Sequence, residues 1–158
     1  MFNYIEQFED GSLAITSSNE QLDGNPEYCN PDVKKRIELS ENDFNKYSAE
    51  INYIDCCFLD ERDKLVVDIT KVLSRKLEVL TADINERCAH LRRLIQEAGV
   101  MDKKEVAQEI AGVMKTLRAF INESDFSNVK DISSIEQITC PELNIDYDAY
   151  FSDKIYGI

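Results

Sequence analysis

Cys88 and His90 are the first residues in the chain that invite a chemical reading, because a thiolate and an imidazole are usual zinc ligands. Two positions apart on a helix, they point about 200° from one another and cannot close on one ion. Cys88 also falls on an apolar seam, where a thiol behaves as a small hydrophobe. His90 is the sole histidine, so any Cys-His or Ser-His-Asp site must use it. Its neighbours one helical turn away are Glu86, Arg87, Arg93 and Leu94, the company of a solvated helix side.

Other candidates are weaker. Cys56 and Cys57 are adjacent, Cys29 and Cys140 fall in loops, and no Cys-x-x-Cys pair occurs to anchor a metal. The five glycines are isolated and none precedes a Lys-Ser or Lys-Thr pair, so no phosphate-binding loop is written in the chain. Asp146 and Asp148 flank Tyr147 without calcium-loop spacing around them, which reads as solvated acidity. The expectation is a protein that is not an enzyme, with no catalytic residue, cofactor or metal.

The elements that carry these residues are more legible than their chemistry. Apolar positions run Val66, Ile69, Leu73, Leu77, Leu80, Ile84, Cys88, Leu91 and Ile95 in steps of three, four and four. That is an eleven-residue repeat, roughly 3.67 residues per turn, which keeps the seam on one face of a nearly straight helix. With Asp60 as a start signal and Gly99 as a stop, the pattern predicts a helix over about 61–98, roughly 55 Å long at about 1.5 Å per residue. A second helix over about 103–122 follows a short turn. Asp102 and Glu105 are spaced as a capping box, Met101 and Val106 as its staple, and Val106, Ile110, Val113, Met114, Leu117 and Ile121 form its inner face. Ser40 with Asp43, then Phe44, Tyr47, Ile51, Ile54 and Phe58, predicts a preceding helix over about 41–59.

The flanks read differently. Tyr4, Ile5 and Phe8, then Glu9-Asp10-Gly11, then Leu13 and Ile15, suggest a small N-terminal β-hairpin. Residues 17–31, rich in Ser, Asn, Asp, Gly and Pro, read as a flexible linker. After residue 122 one short helical turn is expected around Ile132, Ile135 and Ile138, and beyond it an irregular acidic and aromatic tail. The fold class is therefore mainly α, an antiparallel helical hairpin with three segments: an acidic arm over 1–39, a helical core over 40–122 and a tail over 123–158.

Charge follows the same segmentation. Residues 1–60 carry thirteen acidic and four basic side chains, net −9. Residues 61–122 carry ten and twelve, net +2, and residues 123–158 carry eight and two, net −6. On the first hairpin helix Lys64, Lys71, Arg75 and Arg93 fall on one line opposite the seam, a solvated face that could also contact acidic arms or phosphates. No run of eighteen apolar residues and no charged-then-apolar leader occurs, and five cysteines without regular spacing suit a reducing compartment. No membrane association and a cytoplasmic location are expected.

These features suggest an assembly or adaptor protein. The seam of Val66, Ile69, Leu73, Leu77, Leu80, Ile84, Leu91 and Ile95 is too long for the shorter second helix to cover, so its earlier half is covered either by the preceding helix folding back or by another copy, and self-association as a homo-oligomer is expected. Leu143, Ile145, Tyr147, Tyr150 and Phe151, interleaved with acids, either pack back on the hairpin or dock a protein partner as a strand or as aromatic anchors. The layout of acidic start, long antiparallel helix pair and loose tail resembles that of small packaging-terminase subunits of tailed phages. That resemblance implies a nucleic-acid-associated oligomer and carries over no site residue. The thirty-one carboxylates admit a further alternative, an acidic inhibitor that occupies the basic groove of a DNA-binding protein or nuclease.

Overall fold

The computed structural model describes residues 1–22 and 30–157. Contacts divide the chain into two compact units, Met1–Val72 and Leu73–Ile158, each with its own apolar core, in place of the three segments expected. Of the linker expected over 17–31, Ser17 and Ser18 are strand. Residues 23–29, which include Cys29 and the Asn25-Pro26 pair, lie outside the described residues.

In the first unit, β1 (Phe2–Phe8) and β2 (Leu13–Ser18) form the expected antiparallel hairpin, with Ile5 opposite Ile15. Gly11 takes a left-handed φ of 84° in the turn, and the Asp10 carboxylate accepts hydrogen bonds from the Ser12 N–H and hydroxyl. A third strand, β3 (Val33–Leu39), pairs antiparallel with the other side of β1, so the sheet order is β2-β1-β3. Its alternating Val33, Lys35, Ile37 and Leu39 carry a strand signal that the run Lys34-Lys35-Arg36 masks. Lysines on an edge strand also discourage pairing with another chain.

The single helix expected over 41–59 is broken into α1 (Glu41–Lys46), α2 (Ser48–Ile51) and a 3₁₀ turn at Ile54–Cys56. Ser40 does cap α1, accepting from the Asp43 N–H at 3.0 Å. Phe44, Tyr47 and Ile54 do pack inward, against a core of Ile5, Leu13, Leu39, Cys57 and Leu65, but Tyr47 leaves helical geometry and stops the run. Phe58 is exposed in a strand.

The long helix does not begin at 61. Cys57–Leu59 (β4) and Leu65–Val67 (β5) pair as a small hairpin, and α3 spans Ile69–Val100. Asp60, expected to cap the helix, instead accepts the Arg62 and Lys64 N–H groups inside the hairpin turn, with Asp63 at φ 60°. Asp68 takes over the helix start and accepts from the Lys71 N–H at 3.1 Å. The β-branched pair Val66 and Val67 favours the strand.

In the second unit α3 turns into α4 (Lys104–Glu123). The Lys103 N–H bonds to the Ala98 carbonyl and the Asp102 N–H to the Gly99 carbonyl, with Asp102 left-handed at φ 54°. That is a Schellman stop, so Asp102 ends α3 and does not cap α4, whose first turn has no side-chain cap. Gly99 lies inside α3, not beyond it.

The segment expected to be an irregular tail is mostly ordered by packing. After α5 (Ile132–Glu136) and a 3₁₀ turn at Pro141–Asn144, α6 (Tyr147–Tyr156) starts where Asp146 accepts the Ala149 N–H. Tyr147, Phe151 and Ile155, at i, i+4 and i+8, are buried with Ile84, Cys88, Leu91, Leu94 and Ala98 of α3 and Ile110, Met114 and Leu117 of α4. Burying a phenylalanine or isoleucine this way contributes about 1.5–3 kcal/mol each. The alternation noticed from Leu143 to Tyr147 therefore gives way to a helical period once Asp146 caps it.

Candidate functional site

A groove of about 570 Å³ opens on the second unit, within the size range of small-molecule and peptide sites. One wall is a stripe of α3 at steps of four, three, four and three: Lys76, Leu80, Asp83, Arg87 and His90, with Glu86 beside it. The opposite wall is Ile138, Thr139, Cys140, Leu143 and Asn144, closed at one end by Asp148 in the first turn of α6. The stripe runs fourteen residues, about 21 Å at 1.5 Å per residue.

Leu80 and Cys140 are buried and Ile138 and Leu143 half-buried, which gives the groove an apolar floor. Arg87 reaches across and donates from Nη2 to the Leu143 carbonyl at 3.2 Å, tying the two walls together. Asp83 and Glu86 are exposed and form no ion pair with the described residues. Arg93 Nη2 lies 3.3 Å from His90 Nδ1. A guanidinium can only donate, so Nδ1 accepts and the neutral ring carries its proton on Nε2. Asp148 Oδ2 is 3.9 Å from the same Nδ1, too far for a hydrogen bond, and Oδ1 is shielded from solvent with no partner.

An aspartate that oriented His90 as a base would accept its Nδ1–H, and that position faces Arg93. Burial, with the Glu142 carboxylate alongside, holds the Cys140 thiol above its ordinary pKa, so it is no ready nucleophile. Burial likewise pushes Cys57 up to about 11, and its thiol donates to the Glu50 and Tyr53 carbonyls. Cys88 is buried in the core while His90 is exposed on the groove. No three His, Cys, Asp or Glu side chains converge on an ion position among the described residues.

The residues singled out in the sequence are distributed as follows. Of the seam, Leu80, Ile84, Cys88 and Leu91 are buried and Val66, Ile69, Leu73, Leu77 and Ile95 half-buried, with Val66 on β5 instead of the helix. Within this one chain no seam residue is fully exposed. Lys64 precedes β5 and lies off the helix, which leaves Lys71, Arg75 and Arg93 of the basic line on α3. In the tail group Tyr147 and Phe151 are core, Leu143 is half-buried on the groove, and Ile145 and Tyr150 are exposed. Tyr150 is not idle: its hydroxyl donates to Glu109 at 2.8 Å.

Sequence reasoning missed Lys76, Asp83, Thr139 and Asn144, and of the far wall it singled out Leu143 alone as a docking residue. The stripe from Lys76 to His90 has a readable helical period beside the seam. Ile138, Thr139 and Asn144 carry no such signal, because only the return of α6 brings them opposite α3. No helix among the described residues is long and apolar enough to cross a membrane. Comparison with protein-family models, curated proteins and solved structures finds no match to this chain.

Proposed function

We propose that this chain is a non-enzymatic protein-binding protein that docks its partner on the groove face of the helical unit. The observation that carries the reading is the combination of an apolar floor with a rim of exposed charges without ion pairs at Asp83 and Glu86. An apolar centre inside a polar rim is the usual build of a docking surface. The acidic-aromatic segment takes part, but chiefly by forming the wall, while its Tyr147 and Phe151 belong to the core.

A photo-crosslinking residue placed at Thr139 or Asn144, in cells that make the chain, tests this. Discrete adducts from those positions, and none from a crosslinker at exposed Glu105 on α4, are the expected outcome. Equal crosslinking from all three positions, or none from the groove, contradicts it.

A further inference from the structure

We infer that the groove seats an extended peptide segment presenting an arginine side chain, held among Asp83, Glu86 and Asp148; this rests on the docking reading above. Shape comes first. A groove about 21 Å long accommodates roughly six residues of extended chain at about 3.3 Å each, and its apolar floor at Leu80, Ile138 and Leu143 suits alternate side chains.

Charge decides the class of occupant. Arg87 is half-buried and its Nη2 is spent on the Leu143 carbonyl, and Lys76 stands at the far end of the stripe. At the other end the groups without ion pairs or hydrogen bonds are carboxylates. Asp83 and Glu86 are three apart on α3 and so neighbours on its surface, and His90, one turn beyond Glu86, touches Asp148. His90 Nδ1 stands 3.3 Å from Arg93 Nη2 and 3.9 Å from Asp148 Oδ2, and makes no hydrogen bond to Asp148. An incoming guanidinium supplies donors in a planar fork that fits paired carboxylates, whereas a carboxylate entering there meets three like charges.

The test is a titration of the isotope-labelled full chain, followed by amide chemical shifts. The probes are a capped hexapeptide of alanine and leucine with one central arginine, and the same peptide with norleucine or glutamate in its place. The arginine peptide should move the amides of Glu86, His90 and Asp148 saturably. Asp148→Asn and Glu86→Gln should each weaken its Kd at least fivefold, while Glu105→Gln leaves it unchanged. If the norleucine or glutamate peptide moves the same amides equally well, the groove docks peptides but the basic class is overturned. If none of the three moves them, or if they move on dilution of the chain alone, docking of a partner peptide at this face falls as well.

Discussion

Asp102 sits at φ 54°, in the left-handed region where a side chain other than glycine's is strained. It is largely exposed, and its contact with Lys104 at 3.7 Å is an exposed ion pair that contributes little. Asp102→Gly should therefore raise the unfolding free energy by about 0.5–1 kcal/mol in urea denaturation. A loss of stability would mean that the aspartate is needed as a cap. Glu6 presents the opposite case. It is buried on the central strand, accepting from Arg36 Nε at 2.8 Å and from the Thr16 hydroxyl at 2.8 Å. Glu6→Ala leaves the mostly buried Arg36 cation without this partner and should cost about 3 kcal/mol in the same measurement. A change within 0.5 kcal/mol would show that the sheet does not depend on it. Single-residue signals were readable in the sequence as types but not always as roles. Ser40 caps the helix it announces, whereas Asp60 and Asp102 serve turns, because a short carboxylate satisfies a turn as well as a helix start.

Elements reveal where periodicity was a sound guide. The seam and the inner face of α4 were legible because more than one turn of consistent pattern supports each, and Ile110, Met114 and Leu117 are buried as that pattern predicts. Short elements were not: α1 and α2 share one helical phase yet break at Tyr47, and β4 and β5 are three residues each. α6 was hidden by its acids, since Asp148 and Asp153 interrupt an otherwise clear i, i+4, i+8 stripe. Its exposed side is clasped to α4, where the Glu109 carboxylate accepts from Lys154 Nζ at 2.7 Å and from the Tyr150 hydroxyl. Those hydrogen bonds, Lys154 first, hold the Glu109 pKa below its ordinary value. A depressed folded pKa means that the stabilisation is present above the unfolded value and lost as pH falls through the folded one. Melting temperature should thus fall as pH drops below the ordinary glutamate range, and Glu109→Gln should flatten that acid limb. An unchanged acid limb in the variant would show that the clasp plays no part in it. The same bonds raise the Lys154 pKa, so its share persists below the ordinary lysine value and is lost only as pH rises above it.

For the whole molecule, the uneven charge visible in the sequence coexists with a division it did not announce. The two units part within the first turn of α3, and each buries apolar residues drawn from segments far apart in the chain. Long-range pairings of this kind, β1 with β3 and α6 with the hairpin, leave little local trace, which is why the groove wall could not be anticipated. The groove depends on α6 being a structural layer of the helical unit, because only then does the far wall stand opposite α3. Urea unfolding of Phe151→Ala, followed by far-ultraviolet circular dichroism, tests this most directly. A fully buried phenylalanine predicts a loss of about 3–5 kcal/mol relative to the parent chain. A loss below about 0.5 kcal/mol, as for a surface position, would mean that the segment does not pack on the hairpin, and the groove would not exist as described.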